Sequence, residues 1–151
     1  MVTLPRRSPA SIPVLRVLPG TLESAGVARA LARQVLGADH PAVDTVLLLV
    51  SELVTNAIMH SESGSPGGTV TVALCPGPAG VLIQVRDNGG ASAPWLPAAD
   101  SDAAAEHGYG LLLVDALADC WGTVASTQGR VTWCRVVVGE VSAPDGRETK
   151  V

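Results

Sequence analysis

An acid and an amide, Glu52 and Asn56, stand four residues apart in the apolar run LLLVSELVTNAIMHS (47–61). On a helix that spacing makes them neighbours on one face. Two ordinary packing faces with one tolerated polar pair would explain them. So would a partly apolar pocket in which an acid and an amide act on one ligand. Two further stretches bear on the choice. VRDNGG (85–90) ends a β-branched run with Asp87 and then turns through Gly89 and Gly90. HGYGLLLV (107–114) places Gly108 and Gly110 just ahead of a helical pattern. Glycines at such positions let backbone amides turn toward an anion, and a helix start adds a favourable dipole, so phosphate is a natural ligand. Tight turns account for each glycine pair equally well, and a single Asp after a strand is ordinarily a turn former.

The elements that must carry these residues follow from periodicity. Prolines 5, 9, 13 and 19 mark 1–20 as a tail, with room for one edge strand at 12–18. TLESAGVARALARQVLG (21–37) predicts a first helix, with Thr21 as N-cap and Val27, Leu31 and Val35 toward the core. A second helix is expected from about Pro41 to His60, its core arc made of Val43, Leu47, Val50, Val54 and Ile58. Glu52 and Asn56 fall nearly opposite that arc, among Leu48, Leu49 and Met59, with no Lys or Arg between 42 and 60. A wet face would carry both. SESGSPGG (61–68) is a loop, and TVTVAL and GVLIQVRD are paired strands. The small-residue stretch 88–110 has the length and composition of a functional or disordered loop. LLLVDALADC (111–120) predicts a helix, WGTVAST and RVTWCRVVV a closing hairpin, and 140–151 a polar tail. The expectation is an α+β, two-layer α/β sandwich: a mostly antiparallel sheet covered on one face by helices, as one domain over 21–139.

Composition excludes several classes. With 151 residues, 47% of them hydrophobic, the chain can bury one core. A net charge of −4 disfavours direct contact with nucleic acid or an acidic membrane. Three cysteines without a CxxC spacing fit a reducing cytoplasm and no disulfide framework. The proline-punctuated start is not expected to act as a signal peptide, and no apolar run approaches a membrane span. Neither a Cys/His metal cluster nor a Walker-type phosphate loop occurs.

In their order and spacing, SELVTNAIMHS, VRDNG and GYGLLLVDALADCWG resemble the N, G1 and G2 boxes of the Bergerat-fold (GHKL, histidine kinase-like) ATPases. That superfamily includes DNA gyrase and the histidine kinases. The phrasing is most similar to the small anti-sigma-factor serine/threonine kinases and their stand-alone relatives in high-GC bacteria, over roughly 25–137. The resemblance implies ATP and Mg2+ as ligands. It puts Glu52 at the general base and Asn56 at the Mg2+ ligand. Asp87 falls where the family accepts a hydrogen bond from the adenine amino group, and Gly89 where the ring approaches the backbone. Gly108, Tyr109, Gly110, Leu111 and Leu112 match the loop that cradles the triphosphate, and 88–107 corresponds to the lid. The implied partners are a STAS-domain anti-anti-sigma protein and a sigma factor, with 21–37 as the place for them or for a second copy in a homodimer. Two other readings stay open: an ATP-gated partner switch without transfer activity, and a detached ATP-binding domain of a multi-protein system.

Some positions depart from the family. Met59 stands where many relatives carry Lys or Arg, and the glycine usual two positions after Gly89 is absent. Relatives read Gly-Lys-Thr-x-Trp near the last strand, with the threonine supporting the adenine site. GRVTW (129–133) instead has Val131 in that slot and Thr132 one residue later. Either a local bulge brings Thr132 round, or that adenine contact is lost. His60 and His107 flank the site, and Trp95, Trp121 and Trp133 are expected to pack rather than stack on a ligand. No histidine sits in a separate phospho-acceptor hairpin, so a complete sensor histidine kinase is not expected.

Overall fold

The change of period along the chain becomes a change of layer. The computed structural model describes residues 12–90 and 110–139. Five strands form one sheet, β1 (Val14–Pro19), β2 (Thr69–Gly77), β3 (Gly80–Asp87), β4 (Cys120–Ser126) and β5 (Gly129–Val137), in the order β1-β2-β3-β5-β4. Every pairing among the described residues is antiparallel. Three helices, α1 (Glu23–Leu36), α2 (Val43–Met59) and α3 (Gly110–Leu117), cover one face. The two-layer α+β architecture expected from the sequence is the one observed.

The sheet face under the helices reads directly from the two-residue period. On β3, Val81, Ile83, Val85 and Asp87 are buried, and on β5 the buried set is Arg130, Thr132, Cys134 and Val136. Their alternates, Leu82, Gln84 and Arg86 with Val131, Trp133 and Arg135, look out from the other face. Trp133 packs there over Gly122, where an added Cβ would come within 3.0 Å of the indole.

α2 is the central helix and touches α1, α3 and the sheet. That explains its excess of apolar residues. Leu49, expected beside the polar pair, is fully buried in the core with Val46, Val50, Leu53 and Val54. The helix is thus packed on more than one side, and only a strip holding Glu52 and Asn56 stays half-buried. α1 differs from expectation in two ways. It begins at Glu23 with no side-chain cap: the Thr21 carbonyl accepts from the Ser24 amide at 3.0 Å, and the Ser24 hydroxyl donates to the Pro19 carbonyl at 2.6 Å. Its buried face is Ser24, Ala25, Ala28, Leu31 and Ala32, while Val27 is 49% exposed. The alanines let α1 approach α2 closely, so small size outweighs hydrophobicity in choosing the face. The third helix stops at Leu117 rather than running to 120 because Cys120 already pairs with Arg135 in the sheet. Trp121 closes that corner by donating from Nε1 to Asp115 Oδ1 at 2.9 Å.

The three thiols are unpaired, with Cys134 buried and Cys120 exposed. Burial, helped by the nearby Cys120, pushes the Cys134 thiol up to about 12. A folded-state value above the unfolded one stabilises the protein fully at low pH, and this contribution is lost as pH rises through the gap. The wild type should lose about 1–2 kcal/mol relative to Cys134→Ala between pH 8 and pH 10, read from urea midpoints at each pH. An independent check addresses the helix interface. Ala28→Leu should cost about 1–3 kcal/mol by overpacking, whereas Val27→Ser should stay within about 0.5 kcal/mol.

Candidate nucleotide site

Asp87 ends β3 on the helix-covered face and is 6% exposed. A carboxylate in that environment needs partners, since desolvation penalises an unpaired charge. One oxygen has them. Oδ1 accepts from the Gly89 amide at 2.7 Å and from the Arg130 amide at 3.3 Å. Among the described residues Oδ2 accepts no hydrogen bond, so a buried acceptor is left over for a donor from a ligand.

The backbone that shapes this corner tolerates few side chains. Gly89 has φ 78°, in the left-handed region, and turns its amide back onto Asp87. At Gly129 (φ 133°) a Cβ would lie 1.9 Å from the Asp87 carbonyl oxygen. Both positions therefore require glycine, and Gly129 is the glycine that opens the GRVTW stretch.

The register settles where Thr132 points. Asp87 pairs with Arg130 and Val85 with Thr132, without interruption of the ladder. Thr132 is buried on the same face as Asp87, and Val131 is on the opposite face. No bulge is needed. Arg130 is buried beside them, a residue the sequence analysis passed over although it shares the alternation of Thr132. Trp133, facing away, is remote from Asp87's face, in keeping with a packing role.

Glu52 and Asn56 lie on α2, which contacts both β3 and β5, the two strands that carry Asp87 and Thr132. Both side chains are half-buried and have no hydrogen-bond or ion-pair partner among the described residues. An amide oxygen and a carboxylate in this state are available to a cation and to a proton. Gly110 opens α3, Leu111 is buried in the core and Leu112 is half-buried, so the amides of this helix start lie at the side of α2. Gly108, Tyr109 and most of the lid, including Trp95 and His107, lie outside the described residues. Met59 is exposed and supplies no charge.

The residues present fit a purine nucleotide with its metal. The orphaned Oδ2 suits an exocyclic amino group, and the helix start suits phosphate oxygens. No group of three or more His, Cys, Asp or Glu side chains among the described residues can hold a metal by itself. Asn56 would then share a cation with phosphates, the habit of Mg2+. A cleft of about 660 Å3, lined by 17–21 and 64–69, contains no ionisable side chain and none of Glu52, Asn56, Asp87 or Thr132. No helix among the described residues is long and apolar enough to cross a membrane.

A search of curated proteins finds no match to this chain. A family model described as "Histidine kinase-like ATPase domain" matches residues 18–136, from the end of β1 to the end of β5, and therefore spans every element described above except the start of the edge strand. With most of its length covered and the buried Asp87, the paired Glu52 and Asn56 and the α3 start all inside the match, the chain belongs to the histidine kinase-like ATPase domain family.

Proposed function

We propose that this domain binds Mg-ATP and acts as a protein serine/threonine kinase on a STAS-domain partner, in a switch that controls a sigma factor. The observation that carries the nucleotide part is the buried Asp87, whose Oδ1 is held by two backbone amides while Oδ2 has no described partner. Such a carboxylate is rigid before ligand arrives. It accepts one hydrogen bond from the adenine amino group, and Gly89 leaves room for the ring edge. Thr132, on the same face, adds a hydroxyl near the base.

When bound, ATP supplies the transferable γ-phosphoryl group and Mg2+ offsets its charge. Asn56 would hold the cation through its amide oxygen. The amides of Leu111 and Leu112, with the loop of Gly108, Tyr109 and Gly110, orient the phosphate oxygens. Glu52, one helical turn from Asn56, would accept the proton of the substrate serine hydroxyl as the serine oxygen bonds to the γ-phosphorus and the bond to the bridging oxygen breaks, releasing ADP. The support for transfer rather than binding alone is Glu52: a half-buried carboxylate without a described partner is kept for a task that nucleotide binding does not need. The STAS and sigma partners rest on the family resemblance of the three boxes.

Calorimetric titration with ATP, with and without Mg2+, tests the site. Asp87→Asn should weaken binding at least about tenfold, since it replaces a charged acceptor in a buried hydrogen bond. Asn56→Ala should remove the Mg2+ dependence. Glu52→Ala should leave affinity within about threefold yet lower transfer of label from ATP to a STAS-protein serine by about 10²–10⁴-fold. Loss of affinity in Glu52→Ala with retention in Asp87→Asn would reverse the role assignments. Tight binding by the wild type without any serine labelling would leave a nucleotide-gated switch instead of a kinase.

A further inference from the structure

The adenine corner and the metal-binding helix are joined by a chain of hydrogen bonds through the loop after α2. Ser61 Oγ donates to the Ala57 carbonyl at 2.6 Å, so it is fixed to the last turn of α2, one residue beyond Asn56. The same oxygen accepts from the Ser63 amide at 3.0 Å. Ser63 Oγ then accepts from the Asn88 amide at 2.9 Å, and the Glu62 amide donates to the Gly89 carbonyl at 2.7 Å. Asn88 Oδ1 accepts from the Thr69 amide at 2.8 Å and ties the turn to β2 as well.

Ser63 is fully buried, at the single 3-10 turn Glu62–Gly64. Its surroundings admit no displacement. A Cβ on Gly20 or Gly68 would fall 1.6 or 2.0 Å from the Ser63 carbonyl oxygen, and one on Gly64 would fall 2.4 Å from that of Ile58. Three glycines are thus spent on letting backbone close around one serine. The hydroxyl at the centre of this knot touches the turn that aims Asp87.

We propose that Ser63, through Asn88 and Gly89, is a positioning residue that sets the purine selectivity of the site, with Ser61 as its anchor to α2. The inference rests on the nucleotide-binding reading given above. It assigns a function to Ser63, which lies outside the three recognised boxes. Loss of the Ser63 hydroxyl frees the Asn88 amide, loosens the Gly89 turn and lets the Asp87 carboxylate drift from the place where it meets the amino group. The phosphate and metal contacts, built on α2 and α3, stay in register.

The test measures affinities of the full chain for ATP and for purine riboside triphosphate, which lacks only the 6-amino group. The wild type should prefer ATP by about tenfold or more, the worth of one hydrogen bond to a charged acceptor. Ser63→Ala should reduce that preference to about threefold or less while leaving the Mg2+ dependence and the purine riboside affinity near wild type. Ser61→Ala, at a half-buried position and gentler on folding, should move the ratio in the same direction. Ser24→Ala is the control: it removes another buried serine hydroxyl, remote from the turn, and should lower the melting temperature without changing the ratio. An unchanged preference in folded Ser63→Ala, or in Ser61→Ala should Ser63→Ala not fold, overturns the positioning role and leaves the nucleotide site standing. Equal fall of both affinities assigns Ser63 to stability alone and overturns it too. A wild type that binds neither nucleotide removes the site and this inference together.

Discussion

A carboxylate placed inward at the end of a strand is the constraint around which the rest of the structure is arranged. Three residues before Asp87 on the same face of β3 are aliphatic, and continuing that pattern would have completed an ordinary core. An acid in the fourth place must be compensated, and two backbone amides donate to it. The Gly89 amide reaches it only because Gly89 adopts a positive φ. The Arg130 amide reaches it only because β5 enters at Gly129 against the Asp87 carbonyl, where no side chain fits. Two glycines and the start of a strand are thereby committed to one oxygen atom. The other oxygen has no hydrogen-bond donor among the described residues, which is the observation the proposed nucleotide contact rests on.

The same constraint explains why α2 looks so apolar. A site at the sheet end needs a helix over it, and that helix must also hold α1 and α3 in place. Its circumference is therefore given almost wholly to packing, and the functional pair occupies the strip left over. Close approach of α1 through Ala25, Ala28 and Ala32 keeps this layer thin. Since Glu52 and Asn56 share a helix that is fixed on several sides, neither can move without the other. An acid and an amide on one rigid rod can address two ends of a phosphate group at a constant separation.

Much of this was legible in the sequence, for identifiable reasons. The strands announced themselves because their inward and outward residues differ in kind, and Asp87 stood out because it broke the β3 pattern at a turn. The i,i+4 pair stood out for lack of basic neighbours. What stayed hidden depends on tertiary neighbours. Leu49 was assigned to the ligand side because a single amphipathic arc cannot describe a helix buried on several faces. Val27 was assigned inward because hydrophobicity hides the preference of a close helix contact for alanine. Thr132 invited a bulge because the sequence fixes spacing, whereas the ladder register with β3 decides the face. Gly129 and Arg130 act through backbone contacts with Asp87, and Ser63 through its hydroxyl on the Asn88 amide, all far away in the chain, so their neighbours in sequence do not reveal these contacts.

Division of labour between backbone and side chains follows from these contacts. On the proposed reading, recognition of the base would fall to a sheet end whose geometry is locked by glycines and by amides donating to fixed acceptors. Work on the phosphates would fall to Glu52 and Asn56 of α2, whose side chains have no partner among the described residues and can reorganise around a cation. The first needs rigidity, because a displaced acceptor does not discriminate an amino group from a hydrogen atom. The second needs adaptability, because charge moves during transfer. Substitution on the recognition side should therefore act through loss of order and be transmitted along the loop that joins the two. Substitution of Glu52 or Asn56 removes one atom's function and leaves the scaffold intact. On the proposed reading, a domain built this way would lose its chemistry and keep its ligand when Glu52 is replaced, and that residue is where the distinction turns.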